Sequence, residues 1–132
     1  MESEVNGFDP SEIEATLESL QVLLADPDRN RRLDLYTEDA VAVESGEAPV
    51  RGMRALLARQ DVPVLLDVEV RPELIEGDGR LASAFGHASC SFEDSSGDRV
   101  RVAMYFLMAL RKETDGIWRV AREFLIYDGD TD

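Results

Sequence analysis

One cysteine, one histidine and one lysine are all that 132 residues supply of three chemically versatile side chains. A lone Cys90 excludes an intramolecular disulfide and any metal site built on paired cysteines, and it suits a reducing, cytoplasmic setting. A lone His87 removes the two-histidine metal motifs, and no carboxylates stand at metal-ligand spacing, so neither a metal nor a cofactor is expected. A Gly-rich phosphate loop and a nucleophile elbow are missing as well. No run of roughly 18 apolar residues occurs, and residues 1–9 are acidic and polar rather than basic and then apolar, so neither a membrane span nor a secretion signal is expected. Positive charge is the largest deficit: 14 Lys and Arg against 28 Asp and Glu leave a formal charge of −14. That charge repels phosphate backbones and anionic bilayers, which removes nucleic acid and membrane from the expected partners. Thirteen of the 14 bases are arginine. An acidic, lysine-poor surface stays hydrated in high salt, and a GC-rich genome produces the same exchange of Lys for Arg without a physical cause; both origins stay open.

What is present is enough apolar material for one core. At 44% hydrophobic residues and 132 positions, the chain fits one domain spanning residues 1–132, with 1–9 as a flexible tail and 128–132 as an acidic tail. Asp9-Pro10-Ser11-Glu12 has the form of a helix start, with Asp9 as cap, proline at the first helical position and Glu12 placed for a capping box. Ile13, Leu17, Leu20 and Leu24 then fall on one stripe of a helix ending near Ala25. Asp26-Pro27 repeats the start signal for a second, shorter helix closing at about Tyr36, and a third short helix is expected from Met53 to about Gln60.

Between and after these, the pattern turns to period two. Strands are expected at Ala40–Ser45, Val64–Arg71 with continuation toward Ile75, Leu81–Phe92, Val100–Arg111 and Ile117–Tyr127, joined by loops rich in Gly, Asp and Ser. Helices gathered at the front and a hairpin meander behind give an α+β class: a curved antiparallel sheet wrapped around N-terminal helices. Val100, Val102, Met104, Phe106, Met108 and Leu110 share one wholly apolar strand face, which must look inward. Ala82, Ala84, Gly86, Ala88, Cys90 and Phe92 share a small-residue face that leaves room for helices or a pocket, and the opposite face, half apolar, suits a subunit contact.

Leu35-Tyr36-Thr37-Glu38-Asp39-Ala40-Val41, Ala48-Pro49-Val50-Arg51-Gly52, Gly77-Asp78-Gly79-Arg80-Leu81-Ala82 and Asp115-Gly116-Ile117-Trp118-Arg119-Val120, in this order along nearly the whole chain, resemble the nuclear transport factor 2-like superfamily, in its SnoaL-like and ketosteroid isomerase-like branch. The resemblance implies a cone-shaped, cystatin-like roll around an apolar pocket and a homodimer joined through the outer sheet face. It also sets Glu44 where the isomerases keep a general-base aspartate, and sets Leu20 and Phe106 where they keep the tyrosine and protonated aspartic acid of an oxyanion hole. Neither replacement donates a hydrogen bond, which argues against isomerase chemistry of that kind.

Two readings of function follow. The first is a domain that binds a small, largely apolar molecule in a pocket lined by Ala88, Cys90, Phe92, Met104, Phe106 and Met108, or fills that pocket with its own side chains. The second is an isomerase or polyketide-cyclase type of enzyme using Glu44, with Glu123, as general acid and base. A third, an interaction module, rests on the dimer. The bland alternatives are a solvated Glu44, an external Arg119/Glu123 ion pair, a His87 on the outer face, and a Cys90 that is only a small buried hydrophobe. In the last strand Arg119, Ala121, Glu123, Leu125 and Tyr127 alternate with Trp118, Val120, Arg122, Phe124 and Ile126, and strict alternation leaves open which set faces inward.

Overall fold

A computed structural model of the chain describes residues 8–52, 54, 55 and 64–130. Helix α1 runs Pro10–Leu24, a short 3₁₀ helix covers Arg29–Leu35, and six strands follow: β1 Tyr36–Glu44, β2 Val50–Arg51, β3 Leu66–Gly77, β4 Leu81–Glu93, β5 Arg99–Lys112 and β6 Trp118–Asp130. They form one open, curved sheet in the order β2-β1-β6-β5-β4-β3. The α+β expectation holds. The helix expected over Met53–Gln60 lies outside the described residues except for Arg54 and Ala55, as do residues 1–7 of the expected tail. No helix of the described residues is long and apolar enough to cross a membrane.

Helix α1 starts where the cap signal puts it: the Asp9 carboxylate accepts from Ser11 N at 3.0 Å. Glu12 departs from the expected capping box and instead accepts from Trp118 Nε1 at 2.8 Å, tying the first turn to β6. Phe8 is buried and packs edge-on against Trp118, so the expected N-terminal tail is anchored by its last residues. The apolar stripe does what its spacing implies: Ile13, Leu17 and Leu20 are fully buried. Burying each contributes about 1.5–3 kcal/mol. Gln21 Oε1 also accepts from Val70 N at 2.8 Å, pinning the helix to β3.

Three expectations are corrected. The second helix is a single 3₁₀ segment that stops at Leu35, and Tyr36, expected at its end, already has extended backbone and opens β1. The acidic tail expected over 128–132 is strand as far as Asp130, because Asp130 pairs with Val102 on β5. The sheet is not antiparallel throughout, since β1 lies parallel to β6, with Ala42 beside Glu123 and Glu44 beside Leu125. A chain leaving one edge of a meander and returning with a long connection reaches such a pairing, and no local pattern encodes it.

A β-bulge decides the faces of β6. Ala109 pairs with Arg122 but Leu110 pairs with Val120, so Ala121 is the extra residue. Trp118 and Val120 therefore point into the core, and after the bulge the inward set becomes half-buried Glu123 and Leu125 and exposed Tyr127, with Phe124 and Ile126 on the outer face. The core joins α1 to Tyr36, Ala40, Ala82, Ala84, Phe106, Met108, Leu110, Trp118 and Val120.

Candidate functional site

Among the described residues, the inner wall carries a polar island at the β1/β6 pairing. Ala40 and Ala42 are buried on β1, which puts Glu44, two residues further on, at the same face and partly exposed. Parallel pairing sets Ala42 next to Glu123 on β6, and antiparallel pairing sets Met108 on the other side of Glu123. Tyr36 Oη donates to Glu123 Oε1 at 2.7 Å, and Tyr127 Oη donates to Glu44 Oε2 at 3.3 Å. Four side chains from two strands that are far apart in sequence are thus brought together.

Their electrostatics follow from the wall around them. Burial pushes the Glu123 carboxyl above the ordinary glutamate range; the hydrogen bond from Tyr36 opposes this, the Glu44 charge adds to it, and Arg32 works against it. Burial also raises the Tyr36 hydroxyl well above a free phenol, with the Glu123 charge and hydrogen bond adding to the effect. Tyr127 is raised for the same reasons, burial first and then Glu44. Arg32 stands nearby because it closes the last turn of α1, donating from Nη2 to the Leu24 carbonyl at 2.9 Å and from Nε to the Leu23 carbonyl at 3.4 Å.

The raised Glu123 carboxyl has a stability consequence. A group with higher proton affinity in the folded state contributes stability fully below its unfolded pKa, and that stability is lost as pH rises through the folded value. Glu123→Gln keeps an oxygen for Tyr36 and cannot ionise. Its stability relative to wild type is expected to rise between about pH 4 and about pH 8. Denaturant titrations at the two values check this, and a pH-independent difference contradicts it.

The other candidates divide between core and wall. Phe106, Met108 and Cys90 are buried, the first two directly within the cluster under α1, whereas Ala88, Phe92 and Met104 are half-buried on the same inward faces of β4 and β5. Leu20 and Phe106 are both fully buried apolar groups. Burial pushes the Cys90 thiol up, away from nucleophilic character. His87 is on the outer face, 3.7 Å from Asp128 and edge-on to Tyr105. The expected Arg119/Glu123 ion pair is overturned: the bulge at Ala121 turns Glu123 inward, and Arg119 binds Glu113 and Asp115 instead. The inward face is accordingly not free of acids. Among the described residues no group of three or more His, Cys, Asp or Glu could hold a metal ion.

Tyr36 and Tyr127 are the site residues that the sequence reading did not single out. Tyr127 had a signal, since Glu123, Leu125 and Tyr127 alternate on one side; Tyr36 had none, being expected at a helix end. Away from this wall, a surface groove between Asp78, Arg80, Leu81, Arg111, Lys112, Glu113 and Thr114 is lined by charges of both signs.

No protein-family model matches the chain. No curated protein matches it in sequence. Solved structures do. A protein from Novosphingobium aromaticivorans described as nuclear transport factor 2-like with a cystatin-like fold is 20% identical, with a TM-score of 0.72 over 93% of this chain and 84% of that one. A ketosteroid isomerase-like protein from Erwinia carotovora atroseptica is 18% identical, with a TM-score of 0.72 over 91% and 93%. A type 2 hexachlorocyclohexane dehydrochlorinase is 14% identical, with a TM-score of 0.76 over 92% and 86%. The open curved sheet around α1, with β1 returning parallel to β6, is the nuclear transport factor 2-like, cystatin-like fold.

Proposed function

We propose that this chain is a small-molecule-binding domain that takes a largely apolar compound against the inner wall and holds its polar group at Glu123 and Glu44. The observation that carries the reading is the Tyr36-Glu123-Glu44-Tyr127 island, set among Ala42, Ala88, Cys90, Met104 and Leu125. A structural carboxylate on an apolar wall is normally matched by a direct arginine or lysine bridge. Glu123 instead takes a tyrosine hydroxyl and keeps the cost of its burial, an arrangement that favours a site over a packing solution.

Native mass spectrometry of the protein purified from its own host is expected to show a bound mass that is released on activation and is lost in Met104→Trp, which fills the wall. A bare polypeptide mass from several growth conditions overturns the reading.

A second reading, an isomerase or cyclase type of enzyme, has one specific observation in its favour. Glu123 has raised proton affinity beside a second carboxylate, the condition under which one carboxylate removes a proton and the other returns it. Structures of this fold described as ketosteroid isomerase-like and as a dehydrochlorinase support it by analogy of fold alone. Exchange of a C–H of the co-purified compound for deuterium in D₂O, abolished in Glu123→Gln, selects the enzyme; recovery of unexchanged compound selects binding.

The outer face is assigned to a second copy of the chain. Leu74, Phe85, Leu107 and Phe124 form one continuous row across β3, β4, β5 and β6, and Tyr105 and Ile126 stand in the next. All six are exposed, in a chain of charge −14, and no acid interrupts them. Their exposed area is on the order of 500 Å² per copy, so two faces with a polar rim approach the roughly 1,200–2,000 Å² of a stable interface. Light scattering is expected to give a dimer that Leu107→Glu converts to monomer; a wild-type monomer contradicts the assignment.

A further inference from the structure

The charged groove at the end of the β4/β5 ladder shares no residue with the inner-wall island. It forms where two hairpin turns meet: Leu81 at the start of β4 pairs with Arg111 near the end of β5, and Lys112 N donates to the Arg80 carbonyl at 2.8 Å. The turn through Asp78 bounds one side and the turn beginning at Glu113 bounds the other. The space between them is about 500 Å³, within the range of small-molecule sites. Arg80, Arg111 and Lys112 line it together with two acids, Asp78 and Glu113.

The two signs of charge are not equally committed. Asp78 Oδ1 accepts from both Arg80 N and Leu81 N at 2.9 Å, which fixes the turn and holds that carboxyl below the ordinary aspartate range. Glu113 Oε1 accepts from Arg119 Nη1 at 3.1 Å. The cations are held more loosely. Arg111 reaches Asp39 at 3.3 and 3.5 Å, beyond the roughly 2.7–2.9 Å of a tight charge-assisted bond. Lys112 Nζ stands 3.5 Å from Glu12 Oε1, an oxygen that already accepts from Trp118 Nε1 at 2.8 Å. Neither Asp39 nor Glu12 lines the groove. Arg80 is exposed, and among the described residues its guanidinium makes no hydrogen bond. A guanidinium carries five N–H donors and an ammonium three, so the groove holds a surplus of donors and of positive charge. The charge of −14 on the whole chain does not cancel this locally, because exposed charges farther off than about 8 Å are largely screened at physiological salt.

We propose that this groove is a binding site for a small organic monocarboxylate. The planar Arg80 fork meets the two carboxylate oxygens with parallel N–H bonds, and Lys112 and Arg111 add charge. Leu81, 59% exposed and directly opposite Arg111, offers the apolar surface on which the body of the ligand lies. A dianion such as phosphate gains less, since its second charge meets Asp78 and Glu113 and it has no apolar part for Leu81.

Benzoate, inorganic phosphate and benzyl alcohol are the probes that separate these terms. In amide chemical-shift titrations of the full chain at fixed ionic strength, benzoate is expected to move residues 79–81 and 112–114, with phosphate and benzyl alcohol each at least about fivefold weaker. Arg80→Gln and Lys112→Gln are each expected to weaken benzoate about fivefold, and Glu113→Gln to tighten it about twofold. Arg31→Gln, which removes a cation paired with Asp26 outside the groove, is expected to leave benzoate unchanged. Arg80 is exposed and its replacement leaves the fold intact, which amide spectra of the variant check directly. Phosphate or benzyl alcohol binding as tightly as benzoate overturns the carboxylate assignment. Benzoate that moves no groove amide, or that binds both glutamine variants of the cations as it binds wild type, overturns the site itself.

Discussion

Gly86→Ala is expected to cost about 3 kcal/mol or more of folding stability, roughly a fifth to three-fifths of the total where a domain of this size has about 5–15 kcal/mol. Gly86 sits mid-strand in β4, inward-facing, where local propensity gives no reason for a glycine. The reason lies in β3. Its pairing with β4 shifts register between Pro72 and Leu74, and the strand bends over its neighbour at that point. A Cβ on residue 86 would stand 2.2 Å from the Arg71 carbonyl oxygen, 2.8 Å from the Pro72 Cα and 2.8 Å from Phe106 Cζ. The ring can shift, but the two backbone atoms cannot move without breaking the β3/β4 ladder. Guanidinium denaturation should show a lower midpoint at unchanged slope. A loss below about 0.5 kcal/mol would mean that β3 does not bend in this way.

Phe106→Ala is expected to cost about 3–5 kcal/mol, because the ring is essentially fully buried at the centre of the cluster under α1 and its removal leaves a cavity that rigid strands cannot close. The two substitutions share a contact, so they should not add. In the Phe106→Ala background the ring no longer opposes a Cβ at 86, while the Arg71 carbonyl still does. The double variant is therefore expected to be more stable than the sum of the single effects by about 0.5–1 kcal/mol. Strict additivity would separate Phe106 from Gly86 and contradict the packing described.

The alternating faces of β4 and β5 were legible in the sequence because those strands pair without interruption over their whole length, from Leu81↔Arg111 to Glu93↔Arg99. The face of β6 was not. Trp118 and Val120 claimed the interior by hydrophobicity and Glu123 was set against them by strict period two, yet both sets face inward once Ala121 is spent in a bulge. An alanine carries no mark of that role, and the bulge follows from fitting β6 between β5 and a parallel β1. The same gap in the sequence reading made Arg119 and Glu123 look like an ion pair.

Tyr36 illustrates the second limit. The cap signal at Asp26-Pro27 announced a helical turn two residues early: Asp28, not Asp26, caps the 3₁₀ segment, through Asn30 N, and the segment begins at Arg29. Nothing local fixed its length, because short helices end where tertiary packing requires them to.

The sequence by itself determined the class of the fold, the alternating faces of β4 and β5 and the stripe of α1, each of which depends on residues a few positions apart. Only the tertiary structure decided that two glutamates and two tyrosines meet. Glu44 and Glu123 approach through a parallel pairing and a one-residue bulge, and both arise from how whole strands pack rather than from any spacing along the chain.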